Sequence, residues 1–208
     1  MKLKIFMGIF SALLITSLSA CKTEVQTVVK VAADSPMTDE ELGAHILRTM
    51  DHVKSPLSPM RRQLLAQLLV GIANNTFDRP SEKRDWIRVL AIESKFDNTA
   101  KSPVGAVGLG QVMPQYVKDF GKFCGLKDLR EGDAQDLLVN ATLSACVWRR
   151  ILENTPDRSV VLALSSYNAG PTSTSTKNIQ RFGSPVEETA KYITRFTFLK
   201  EVTEKPSK

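Results

Sequence analysis

Three observations predict a mainly α-helical fold, with at most a small β element beside the helices (α+β). Helix-start signatures recur along the chain: Thr38-Asp-Glu-Glu41 is a capping box, Ser58-Pro59 places a proline just inside a helix, and Ser184-Pro-Val-Glu187 combines both devices. Apolar residues then fall on one helical face, as with Trp86, Val89 and Leu90, which precede Glu93 by seven, four and three positions. No alternating strand pattern dominates, and no repeat period appears.

Taken in order, residues 1–20 read as a signal peptide. They open Met-Lys-Leu-Lys, continue through an apolar run from Ile5 to Leu14 that is too short for a normal membrane span, and end in small residues before Cys21. Residues 21–37 are polar and β-branched without a clear period and suit a tether, reaching roughly 20 Å if flexible. A helix is expected from Thr38 to about Val53 and another from Ser58 towards Ala73. These form an N-terminal helical extension over 38–80 that covers the core or adds a layer to it. The helix over 81–93 opens the main domain, 81–200, and ends at Glu93. Short helices are expected at 114–120 and 159–167, and longer ones at about 133–154 and 185–202. Between them the glycine-punctuated loop from Ser102 to Pro114 leaves room for a small hairpin near 100–112. The polar tail, 201–208, is expected to fray.

Composition narrows the function. The chain has 208 residues and a formal charge of +6, which falls to about +4 over 188 residues once the first 20 residues, with Lys2 and Lys4, are removed. That is enough chain for one full core. Mild basicity suits an anionic polymer, whereas no lysine and arginine cluster interleaves with aromatics, so no nucleic-acid partner is expected. His45 and His52 are the only histidines and have no ligand-spaced cysteine partner, so no metal and no cofactor is expected. With Cys21 at the start of the mature chain, Cys124 and Cys146 remain for an oxidising compartment. A bridge between them would contribute roughly 3 kcal/mol in the chain-entropy picture; two buried thiols are the alternative.

Glu93 carries the chemistry. A carboxylate on the inward face of a helix loses hydration, its pKa rises, and it can stay protonated near neutral pH as a general acid; a glutamate turned to solvent at a fraying end is the plainer reading. Gly105, Gly108 and Gly110 suit positive φ angles or a close approach of backbone to ligand. Asp97-Asn98 reads as turn chemistry rather than a second catalytic carboxylate. Tyr167 and Asn168 precede Gly170, a good residue just past a helix end, and both also suit a site.

Glu93-Ser94, Ala100, Ser102, Gly105-Ala106, Gly108-Leu109, Gln111 and Met113-Pro114 together resemble the first motif of the soluble-type (SLT-domain) lytic transglycosylases, bacterial enzymes that cut peptidoglycan strands. Ala163-Leu-Ser-Ser-Tyr-Asn-Ala-Gly170 is similar to that family's second motif and Glu188-Thr-Ala-Lys-Tyr192 to its third. The resemblance spans about residues 83–196. It implies a lysozyme-like fold with a cleft between a lobe carrying Glu93 and a lobe carrying Tyr167. It also implies one catalytic glutamate, Glu93, acting as acid on the bond between N-acetylmuramic acid and N-acetylglucosamine. The same residue then acts as base on the muramic acid 6-hydroxyl, which leaves a 1,6-anhydro end. Ser102, Gln111 and Met113 would line the sugar groove, Tyr167 and Asn168 would face the glutamate, and Glu188 and Tyr192 would line the groove from the third motif.

Two departures from the family pattern stand out. Gly110 replaces a bulkier residue, which is expected to widen the groove, and Ser144 and Val147 stand where a glycine and a tyrosine are common. Leu18-Ser-Ala-Cys21 resembles a bacterial lipobox, which implies a lipidated Cys21, a membrane partner through that anchor, and a periplasmic address. Lys22, in place of an aspartate, points to the inner leaflet of the outer membrane. Glycan strands are the expected partner of a monomer. A goose-lysozyme-like hydrolase and a non-catalytic wall-binding lipoprotein are the rival readings.

Overall fold

The computed structural model of the chain describes residues 35–183 and 185–204. The signal peptide, Cys21, most of the tether and the last residues of the polar tail lie outside the described residues. Among the described residues the chain forms eight α-helices: α1 Asp39–His52, α2 Pro59–Thr76, α3 Pro80–Ser94, α4 Val117–Cys124, α5 Leu137–Glu153, α6 Val160–Ala169, α7 Thr174–Phe182 and α8 Glu187–Glu204.

The start signals explain most boundaries. At α1 the capping box closes both ways: Thr38 Oγ1 accepts from Glu41 N at 3.1 Å, and Thr38 N donates to Glu41 Oε2 at 2.8 Å, satisfying amides the helix leaves over. Pro59 and Pro80 occupy the first turns of α2 and α3, where a missing N–H costs nothing. α8 begins close to the expected position near 185. The capping box falls on Ser184, outside the described residues, and the helix begins at Glu187, whose carboxylate accepts from Lys191 Nζ at 2.6 Å. The helix expected from 133 is two pieces, a 3-10 segment Glu131–Gln135 and then α5, whose N-cap Asp136 accepts from Val139 N at 2.9 Å.

α7 is not foreseen by the sequence reading, because a run of serines and threonines reads as loop. Buried hydroxyls define it instead of an apolar stripe: Thr176 Oγ1 lies 3.0 Å from Ser165 Oγ on α6 and donates to Gly170 O at 3.0 Å. Over residues 201–204 the expected fraying is corrected, since α8 runs on to Glu204 with Thr203 buried. The cause is Arg88 of α3, wholly buried, which donates through Nη1 to Asp85 at 2.7 Å, Nε to Thr203 at 3.2 Å and Nη2 to Glu204 at 3.1 Å. The anticipated hairpin is reduced to two isolated antiparallel bridges, Lys101 with Val107 and Val107 with Val112.

Among the described helices α3 is the one the core is built around. Trp86, Ile87, Val89 and Leu90 are each 0% exposed, and each such side chain stabilises the fold by about 1.5–3 kcal/mol. Leu42, Ile46 and Met50 of α1 and Leu65 and Leu69 of α2 enter the same core as α5, α6 and α8. Residues 39–76 therefore share one core with α3. A smaller cluster, Val107, Val112, Val117, Ala134 and Leu143, lies beneath the glycine-rich loop. The division anticipated between a Glu93 lobe and a Tyr167 lobe is thus displaced: α3 and α6 share the main core, and the second cluster belongs to the loop, α4 and the start of α5. Cys124 at the end of α4 and Cys146 of α5 are joined as a disulfide, Cα to Cα 5.9 Å. Among the described residues no helix is long and apolar enough to cross a membrane, and no group of three or more His, Cys, Asp or Glu side chains is placed to hold a metal ion.

Candidate active site

α3 delivers Glu93 one residue before its end, and the chain then reverses sharply. Lys95 and Phe96 both take left-handed backbone angles, φ 54 and 65, at about 1–2 kcal/mol for each non-glycine residue. Complete burial of Phe96 offsets that cost. Ser94 ties the returning loop to the helix end, its hydroxyl reaching Leu109 O at 2.9 Å and Leu90 O at 3.3 Å. Asp97 Oδ1 accepts from Thr99 N at 2.8 Å and from Thr99 Oγ1 at 2.6 Å, so this carboxylate is occupied in a turn, as its sequence context suggests.

The loop is pinned from below by Asn140 of α5. Its Nδ2 donates to Val107 O at 2.9 Å and Ala134 O at 2.7 Å, and its Oδ1 accepts from Gly110 N at 2.9 Å. Two of these three bonds go to the loop and the third to the 3-10 segment that leads into α5, and the side chain is fully buried. Gly108 is required here for two reasons: its φ is 75, and a Cβ would stand 2.5 Å from Asn140 Nδ2. The cradle is backbone, and Asn140 holds it from the α5 side.

Glu93 itself is partly buried, and loss of hydration pushes its carboxyl up to about 7. The Tyr192 hydroxyl of α8 donates to Glu93 Oε1 at 2.7 Å and opposes that rise by favouring the ionised form. Burial drives the Tyr192 hydroxyl well above its usual value, and the neighbouring Glu93 charge adds to the effect. Tyr167 of α6 is displaced in the same direction, first by burial and then by the Glu93 charge, which puts it within electrostatic reach of the carboxylate. Its ring meets Trp148 edge-on at 6.1 Å. The arrangement is an acid whose proton is retained to neutral pH and whose anion has a phenol to receive it, which is what a group that must give and then retake a proton needs.

The predicted site residues assemble unevenly. Glu93 and Tyr192 touch, Tyr167 stands nearby, and Asn168 Oδ1 accepts from Thr189 Oγ1 of α8 at 3.1 Å, joining the second and third motifs. Gln111, in a left-handed conformation at φ 50, spends its amide protons on Gly108 O at 3.0 Å and Ala100 O at 3.3 Å. It therefore holds the loop's shape from within. Ser102 Oγ accepts from Ala106 N at 3.0 Å and shapes the loop tip, while Met113 is partly exposed just before Pro114. Glu188 is exposed in the first turn of α8; among the described residues no hydrogen bond joins it to Glu93 or to either tyrosine.

The expected widening at Gly110 is corrected. A Cβ there would meet Ser144 Cβ at 2.4 Å and Tyr167 Oη at 3.1 Å, so the space that a side chain at 110 would fill is already taken by Ser144. The two departures from the family pattern compensate each other across one contact. Sequence reasoning missed the roles of Asn140, Ser144 and the Trp86 indole because each works through a partner at least 23 positions away. Hollows elsewhere on the surface, between α1 and α2 and beside the 125–129 loop, are lined by none of these residues.

A family model described as the transglycosylase SLT domain matches residues 78–188, a span that includes Glu93, the loop and Tyr167 and ends four residues short of Tyr192. Among solved structures, the chain is similar to the X-ray structure of lytic transglycosylase Slt from Pseudomonas aeruginosa, an inactive glutamate-to-glutamine mutant, with a TM-score of 0.57 and 22% identity. The match covers 80% of this chain and 30% of that one, so the chain spans under a third of that protein's length. The likeness carries the fold, mainly helical and lysozyme-like.

Proposed function

We propose that this chain, which belongs to the transglycosylase SLT domain family, is a peptidoglycan lytic transglycosylase with Glu93 as its acid and base. The observation that carries the reading is the Glu93 carboxyl, pushed up to about 7 by burial and held at 2.7 Å by the Tyr192 hydroxyl. Near neutral pH a substantial share of molecules hold the proton. Glu93 gives it to the oxygen linking N-acetylmuramic acid to N-acetylglucosamine, and positive charge develops at the anomeric carbon as that bond breaks. The resulting carboxylate lies beside this centre and takes the proton of the muramic acid 6-hydroxyl as that oxygen closes on the anomeric carbon. The product carries a 1,6-anhydro end, and no outside water is consumed.

Because the nucleophile is part of the substrate, the protein's contribution is proximity and one well-tuned proton. A water-delivering glycosidase of the common type uses a second carboxylate, and Asp97, the closest acidic neighbour of Glu93 in sequence, is committed to its turn. The groove that takes the strand is lined from Ser102, Gln111, Met113, Asn168 and Tyr167, with Glu188 at its rim.

The lipobox-like Leu18-Ser-Ala-Cys21 supports a lipid anchor at Cys21 after removal of residues 1–20. At about 0.8 kcal/mol per buried methylene, several acyl chains hold the domain at a membrane durably. The address is the periplasmic face of the outer membrane, where a monomer would reach the wall on its tether. Cys21→Ala is expected to move the protein from the membrane fraction to the soluble periplasmic fraction.

Mass spectrometry of muropeptides released from purified sacculi tests the activity. The reading expects anhydro ends, lighter by one water than reducing muramic acid, and their loss in Glu93→Gln. Reducing ends would transfer the protein to the hydrolases. Absence of any release by the wild type would make it a wall-binding protein.

A further inference from the structure

Four elements meet at one serine of α5. The Ser144 hydroxyl accepts from Trp86 Nε1 of α3 at 3.0 Å and lies 3.0 Å from the Tyr167 hydroxyl of α6. Its Cβ fills the position a side chain on Gly110 would take, 2.4 Å away. Ser144 is 0% exposed, so no water competes for these contacts. The Tyr167 hydroxyl has a second neighbour, Gly110 O, to which it donates at 2.9 Å.

The proton count fixes the direction of the chain. A phenol has one proton, and the Gly110 carbonyl only accepts. With the Tyr167 proton on that carbonyl, the contact to Ser144 is closed by the serine's own proton, and the serine oxygen is in turn occupied by the Trp86 indole N–H. Each group in the relay then has a partner, and each step joins a different element: α3, α5, α6 and the glycine-rich loop. Trp86 sits two turns before Glu93 on the same helix, so the relay ties the helix that carries the acid to the tyrosine that faces it.

We propose that Ser144 is a positioning residue for the reaction, holding the Tyr167 hydroxyl against Gly110 and so setting the α6 tyrosine in register with Glu93. The inference rests on the assignment of Glu93 as the catalytic acid. Ser144 touches no reacting atom; it acts through Tyr167, and that makes it testable.

The experiment measures kcat and KM for muropeptide release from sacculi by the wild type, Ser144→Ala, Tyr167→Phe and the double variant. Ser144→Ala keeps the Cβ that packs on Gly110 and removes only the hydroxyl. It is expected to lower kcat by about tenfold, the rate equivalent of one hydrogen bond, with KM unchanged within about twofold. Tyr167→Phe lowers kcat at least as much, and adding Ser144→Ala to it costs nothing further, because the path runs through the missing hydroxyl. Should Ser144→Ala fail to unfold cooperatively in urea, Ser144→Cys, which keeps a weak donor and acceptor of similar size, takes its place in the same cycle with an intermediate kcat expected. An active wild type with full kcat in Ser144→Ala, or equal losses with and without the Tyr167 hydroxyl, overturns the positioning role alone. A wild type that releases no muropeptides removes the assignment of Glu93 and the positioning role with it.

Discussion

Glu93→Gln should make the protein more stable at high pH while leaving it nearly unchanged at low pH. The folded carboxyl sits at about 7 against an ordinary value of 4.5, and each unit of difference is worth 1.36 kcal/mol, so the full effect is about 3 kcal/mol. The sign follows from proton binding. Below the unfolded value both states are protonated, and the group contributes its stability in full. Between 4.5 and about 7 the unfolded chain has released the proton that the folded protein retains, so stability falls as pH rises; above about 7 the loss is complete. Glutamine is neutral throughout and escapes that loss. Other titrating groups, such as the buried His45, held down at about 3 by burial and by the nearby Arg88, Arg84 and Arg48, are common to both proteins and cancel in the difference. Urea unfolding followed by circular dichroism at about pH 4 and about pH 8 gives the two differences directly. A gap between variant and wild type that does not change with pH, or that turns against glutamine at the higher value, would refute the burial argument.

Tyr192→Phe removes the hydroxyl that favours the Glu93 anion, so the alkaline limb of the activity profile should move up by about one pH unit; a limb that stays put would separate Tyr192 from the acid. Arg88→Met leaves Asp85 buried without its cation, and Asp85 is already pushed upward by burial. The expected cost is about 3–5 kcal/mol in urea unfolding, and a loss under 1 kcal/mol would contradict it. Replacing Cys124 and Cys146 together by serine should cost roughly 3 kcal/mol, and dithiothreitol should produce the same shift in the wild type but none in the double variant.

The inward turn of Glu93 was legible in the sequence because a helix face repeats locally: Trp86, Val89 and Leu90 predict which way the glutamate turns, and all three are buried. Capping boxes and prolines are likewise local, and α1, α2 and α3 begin where such signals stand. What the sequence concealed is contact at long range. Ser144 and Gly110 each look like a departure from the family pattern when read singly, and only their meeting across the fold shows one filling the space the other leaves. Arg88 lies on a helix whose charges look solvated until α8 brings Thr203 and Glu204 to it. α7 is held by hydroxyl pairs that carry no periodic signature, and Gln111 matches a groove-lining motif while its amide binds the loop that presents it.

The most direct test of the central claim is the pH dependence of muropeptide release at limiting substrate, which reports the pKa of the essential acid in the free enzyme. The account predicts an alkaline limb centred near the value of about 7 held by Glu93 and no limb to measure in Glu93→Gln, whose release should be at background. Undiminished release well above that pH, or an equal rate from the glutamine variant, would show that the reaction does not depend on the proton held by this carboxyl.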